Sequence, residues 1–166
     1  METDNHNDLL SQLKNLGDSL IQEQKKSTQL QTEYKAGFEF MPMVAVIVNK
    51  DRRITVATYK TLEELQKPLE QVFGERGGNV FDCIHHEDSN LGCGYGEACG
   101  ACGVKNTVLK ALNQKKELSG VKTKLTVKRG EKIIELSLLV HARNVEIFGD
   151  PRVALYIAVK HAKEIN

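Results

Sequence analysis

Residues 38–58 read FEFMPMVAVIVNKDRRITVAT, and this stretch decides the fold class. Met43 to Val48 is a continuous apolar run rich in β-branched residues, the pattern of a buried strand. Asn49–Lys50–Asp51–Arg52 breaks it with turn-forming polar residues. Ile54 to Tyr59 then resumes as a second strand. Two short strands across a polar turn predict an antiparallel hairpin.

Downstream of the hairpin the pattern alternates between helix and strand. Thr61, with Glu64 three residues on, carries the capping-box signature of a short helix. Pro68 ends that helix or opens the next turn, and Gly74, Gly77 and Gly78 mark a loop. Residues 79–103 are irregular and glycine-rich. Val104 to Lys116 predicts a helix with Val104, Val108, Leu109 and Leu112 on one face. Lys122 to Arg129 alternates, with Leu125 and Val127 against Lys124, Thr126 and Lys128, as a half-exposed strand does. Gly130 turns the chain into a long strand over Ile133 to Val145. Asp150–Pro151 reads as a further turn and Val153 to Val159 as a last strand. This order predicts an α+β domain, an antiparallel sheet covered on one face by helices.

Upstream, residues 1–36 form a separate segment, rich in Gln, Asn, Lys, Glu and Ser and free of proline. Leu9, Leu13, Leu16 and Leu20 recur at helical spacing, and Leu30 and Tyr34 resume the seam. An N-terminal amphipathic helix over residues 8–35 follows. Its stripe either packs on the chain's own core or seams with a second copy as a short coiled coil. The expected organisation is a helix at 1–36 and a domain at 37–166, with a cysteine-rich loop at 83–103.

Composition narrows the function. The 166 residues carry 23 Lys and Arg against 22 Asp and Glu, a net charge of +1. Such a balance argues against a direct nucleic-acid binder, which needs a basic excess. No apolar run reaches the roughly 20 residues of a membrane span, and from the acidic start METDNHND no signal peptide is expected. A cytoplasmic setting is the expectation. No Ser/His/Asp arrangement stands out, so catalysis has no support here. The Gly-Cys-Gly-Tyr-Gly run at 92–96 lacks the Lys and Ser/Thr of a phosphate loop.

The four cysteines, Cys83, Cys93, Cys99 and Cys102, all fall within twenty residues. In a reducing compartment stable disulfides are rare. A Cys-x-x-Cys pair lets two sulfurs reach one metal, and a second pair completes a tetrahedron. The candidate ligand set is therefore Cys83, Cys93, Cys99 and Cys102, for an iron–sulfur cluster or for zinc. Spacing alone does not separate the two. Thiol–disulfide chemistry at Cys99 and Cys102 and four buried free thiols stay as alternatives. His85 and His86 follow Cys83 closely and read as polar loop residues. His141 reads as a sheet residue.

Residues 38–58 and VKRGEKIIELSLLVHARNVEIFGDPRVALYIAVKHAKE (127–164) resemble the first hairpin and the last three strands of the PAS, or sensory box, family. The segment GGNVFDCIHHEDSNLGCGYGEACGACGVKNTVLKAL (77–112) resembles a cysteine-containing subset of that family found in bacterial and archaeal signalling proteins, at all four Cys positions. Ala57–Thr58 departs from the family's Ala-Asn dipeptide. The resemblance implies a five-stranded antiparallel sheet flanked by helices. Between sheet and helices it implies a cavity walled by Val46, Val48, Val56, Val108, Leu138 and Ile157. It further implies a sensory or regulatory role in signal transduction, reading redox state, oxygen or a small ligand. The implied partners are a second copy and a signalling protein such as a kinase or regulator. A thiol–disulfide oxidoreductase and a dimerisation scaffold with structural zinc are the competing readings.

Overall fold

The computed structural model describes residues 2–165, with side chains from Leu10 onward, so Leu9 of the N-terminal stripe lies outside the described side chains. The chain divides into two compact units, Met1–Phe38 and Glu39–Asn166. Helix α1, Glu2–Glu39, spans the first and ends one residue into the second. Its stripe is exposed: Leu13, Leu16 and Leu20 each keep more than half of their surface open.

The second unit is built on one sheet. Strands β1 (Ala45–Val48), β2 (Ile54–Ala57), β3 (Glu117–Arg129), β4 (Lys132–Ile147) and β5 (Asp150–Ile165) lie in the order β2-β1-β5-β4-β3, each pair antiparallel. Helices α2 (Tyr59–Leu65), α3 (Leu69–Val72), α4 (Gly77–Val80) and α5 (Gly103–Gln114) join the first hairpin to the last three strands. Alternate residues of a strand point to one face. Val46 and Val48, Val140 and Ala142, and Val153 and Leu155 are accordingly buried together with Val108 and Ala111 of α5.

Local chemistry explains the joints. The Asn49 side-chain oxygen accepts from the amides of Asp51 (3.0 Å) and Arg53 (2.9 Å), which folds the β1–β2 turn and lets Arg52 sit at φ 62°. The cap of α2 corrects the capping-box expectation. Thr58, not Thr61, is the N-cap: its hydroxyl accepts from the Thr61 amide at 3.2 Å, and the helix begins at Tyr59. Glu64 turns instead to Lys60, at 2.8 Å. Thr58 and Thr61 are both fully buried, and each hydroxyl bonds the backbone at Ala45. They weld the start of β1 to the start of α2, and Thr58 stands where the family dipeptide has Asn.

The turn expected at Asp150–Pro151 lies two residues earlier. Phe148 (φ 53°) and Gly149 (φ 79°) form it, and β5 already begins at Asp150. Gly120, expected as punctuation before a strand, lies inside β3 at a register shift between Leu118 and Val121.

Both edges of the sheet are met by connecting segments. On the β2 edge, Ile54 donates to the Glu75 carbonyl and Gly74 donates to the Ile54 carbonyl, each at 2.8 Å. On the β3 edge, Ile84 donates to the Thr126 carbonyl (3.1 Å) and Lys128 to that of Asp82 (2.8 Å).

Candidate functional site

The segment from α4 to α5 carries the cysteines, and polar contacts pin it at both ends. Cys83 forms an isolated antiparallel bridge with Val127 of β3. Beside it, Asp82 (φ 55°) accepts from Lys67 at 2.5 Å and from Arg129 at 3.2 Å. Lys67 also donates to the Val80 carbonyl at 2.8 Å, so one lysine ties the end of α2 to the approach to Cys83.

Cys93 is held by close packing. Its sulfur accepts from the Gly78 amide at 3.2 Å. A Cβ on Gly78 would stand 2.5 Å from that sulfur, so the helix can approach the thiol only because residue 78 has no side chain. Tyr95 anchors the same loop between two arginines, with Arg52 5.2 Å and Arg76 4.7 Å from the ring centre. Arg76 adds a bond to the Leu91 carbonyl at 2.7 Å. Cys99 lies buried in a 3-10 turn, Glu97–Ala101, and Cys102 is the N-cap residue of α5.

All four cysteines line one cavity of about 920 Å³ between the sheet and α5. Val46, Val48, Val108, Leu138 and Ile157 are in its wall, as the sequence leads one to expect. Val56 is not. It pairs with Ile47 on the opposite face of the hairpin, and Ile54 takes the place assigned to it. Alternation alone turns Val56 outward with its partner Ile47, and the register shift between Ile47 and Val48 then brings Ile54, rather than Thr55, opposite Val48.

The imidazoles stay within their own surroundings. His85 meets Asp88 at 2.7 Å, and Nδ1 of His86 meets the Cys83 carbonyl at 2.6 Å. His141 meets Ser119 at 2.8 Å and the Gly120 amide at 3.3 Å, bracing the irregular register of β3.

Solved structures resemble this arrangement. The PAS domain of an HTR-like protein from Haloarcula marismortui superposes with a TM-score of 0.52 at 16% identity, covering 87% of this chain and 98% of that one. The chain has the PAS fold. A PAS domain from a two-component sensor histidine kinase gives 0.51 at 8% identity, covering 80% and 99%. The LOV protein of Rhodobacter sphaeroides gives 0.50 at 16% identity, covering 80% and 68%. No protein-family model matches the sequence. No curated protein matches it either.

Within this PAS fold the sulfurs feel one another. Burial pushes the Cys83 and Cys93 thiols up, and charge on the other sulfurs adds to the rise: all three others for Cys83, and Cys99 and Cys102 for Cys93. Backbone amides pull the other way, as does Arg52 for Cys93. All four cysteines are free thiols. Among the described residues, no three His, Cys, Asp or Glu side chains stand in an arrangement that could hold a metal ion. The donor type, thiol sulfur, is the one thiophilic metals take, and all four cysteines line the one cavity without converging on a single point. Sequence reading missed Asp82, Arg52, Arg76 and Tyr95. Their partners lie 15 to 47 residues away along the chain, so no local pattern marks them.

Proposed function

We propose that this PAS domain is a sensory module of signal transduction, with the cavity as its input and the cysteine wall as its reactive element. The observation that carries this is that Cys83, Cys93, Cys99 and Cys102 all line one cavity. To hold an iron–sulfur cluster or zinc, these thiols would have to be drawn closer together than they stand here. A cluster would supply redox- and oxygen-sensitive chemistry, whereas zinc would supply a structural cross-link. This chain's part is to keep the four sulfurs facing one cavity and to tie their loop to β3 through Asp82. Redox state or oxygen is the input this suits. Free thiols fit a reducing, cytoplasmic setting. The fold shared with a histidine-kinase PAS domain supports a kinase or regulator as the partner that receives the signal.

The test is metal analysis and visible absorbance of protein purified without oxygen, beside a variant with all four cysteines changed to serine. Bound iron with brown absorbance, absent from the variant, is the expected result. A colourless zinc protein would support the scaffold reading instead. Wild-type protein no richer in metal than the variant would remove the metal from the proposal.

Homodimerisation through α1 belongs to the same reading. The exposed Leu13, Leu16, Leu20 and Leu30 lie on one stripe of an otherwise polar helix, which supports a second copy as its cover. Deleting residues 1–36 is expected to halve the mass seen by light scattering. An unchanged mass would refute it.

A further inference from the structure

Charge around the cavity is one-sided. Its wall contains six cationic side chains, Arg52, Lys60, Arg76, Lys105, Lys124 and Arg129, and a single carboxylate, Glu64. The whole chain carries a net charge of only +1, so the imbalance is local. Three of the six have acidic partners: Lys60 with Glu63 and Glu64, Lys124 with Glu135, and Arg129 with Asp82. Among the described residues, no carboxylate pairs with Arg52, Arg76 or Lys105.

The two arginines are not equivalent. Arg76 directs its nitrogens to the Leu91 carbonyl, the Asp51 carbonyl and the Tyr95 hydroxyl. Arg52 rests on the Tyr95 ring, and among the described residues no side-chain hydrogen bond from its guanidinium is found. Its guanidinium lies against Gly94, where a Cβ would collide with it. Gly94 thus leaves room for the guanidinium beside Cys93. A guanidinium presents a fixed fork that matches a carboxylate with two parallel bonds. The lining of the same cavity also includes the apolar side chains of Val46, Val48, Val108, Leu138, Leu155 and Ile157. A cavity of about 920 Å³ lies within the range that holds drug-sized ligands.

We infer that the cavity binds an organic monoanion with an extended apolar body, its carboxylate held by Arg52 and its body on the valine and leucine wall. This rests on the reading of the cavity as the input site and names the ligand class it takes. A purely architectural role for Arg52, as a brace on Tyr95, makes a different prediction: its loss would loosen the loop without distinguishing charged from neutral ligands.

The test uses the full chain with dodecanoate, dodecanol and inorganic phosphate as probes, followed by calorimetry and thermal unfolding. Dodecanoate is expected to bind and to raise the unfolding temperature. R52Q is expected to weaken dodecanoate about ten- to a hundredfold, the scale of a charge-assisted hydrogen bond, and to leave dodecanol unchanged. R52K, which keeps the charge and loses the fork, is expected to fall between. Equal loss of dodecanoate and dodecanol in R52Q would overturn the assignment in favour of the brace. Phosphate binding as tightly as dodecanoate would also overturn it. So would a wild type that binds no dodecanoate. Failure here, with cysteine-dependent metal still present in the same samples, sinks the anion site alone. Failure of both removes the cavity as an input as well.

Discussion

In the sheet, Val140 and Val153 are completely buried, and each strand supplies its own cover by alternation. Between Gly77 and Gly103 only Gly78, Val80, Cys83 and Cys99 are buried, and two of these four are cysteines. The sheet is therefore ordered by apolar area and the loop by point contacts: Asp82 between Lys67 and Arg129, Tyr95 between Arg52 and Arg76. A sheet of the first kind unfolds as a whole when its core is cut. A loop of the second kind can be released piece by piece while the sheet remains, which is the behaviour a sensing element requires.

The largest expected effect comes from cutting the core. Ile54 keeps 1% of its surface exposed, and Ile54→Ala should cost about 2–5 kcal/mol in a urea titration of the whole domain. A loss below 1 kcal/mol would mean that the cavity beside it collapses to fill the space.

An intermediate effect is expected at the seam between the two regions. Gly78→Ala places a methyl against Cys93, whose Cβ would lie at 2.8 Å. A cost of roughly 1–3 kcal/mol follows from overpacking. Cys93 should also react faster with a thiol reagent, while Ile54-side packing stays intact. Unchanged reactivity would show that α4 moves as a body and the thiol does not.

The smallest effect belongs to the thiols themselves. Burial holds Cys83 and Cys93 above the ordinary thiol range, so on raising the pH the unfolded chain ionises first. The stability these groups contribute is complete below the ordinary thiol value, about 8.5. It is lost as pH rises through their raised folded values. The urea midpoint of metal-free protein should therefore fall on the alkaline side, and less so in a C83S/C93S variant. Parallel curves for the two proteins would count against a buried thiol wall.

The difference between the regions also explains what could be read from sequence. Apolar runs and alternation reveal strands because sheet burial repeats every second residue, and the Asn49 turn follows from local chemistry. The start of α2 was displaced because Thr58 and Thr61 both fit an N-cap, and the choice depends on the Ala45 backbone thirteen residues earlier. The Phe148–Gly149 turn was hidden because a bulky residue rarely takes positive φ. For the site, the cysteine cluster was visible as spacing, and all four residues line one cavity, though among the described residues no three such side chains stand close enough to hold a metal. The polar pins were invisible, since each joins residues that only the tertiary fold brings together.

The segments that meet the two sheet edges have a further consequence. An open edge strand offers unpaired amides and carbonyls to any other extended chain, and such edges seed strand-to-strand aggregation. Here the 74–75 segment occupies β2, and the 82–84 segment occupies β3 at Thr126 and Lys128. Farther along β3, the exposed Lys122 and Lys124 discourage pairing by charge. The stretch that presents Cys83 to the cavity thus also works as a guard rail for the sheet. Damage to it, by mutation or irreversible oxidation, would be registered first as a tendency of the protein to polymerise through β3, before any loss of the core.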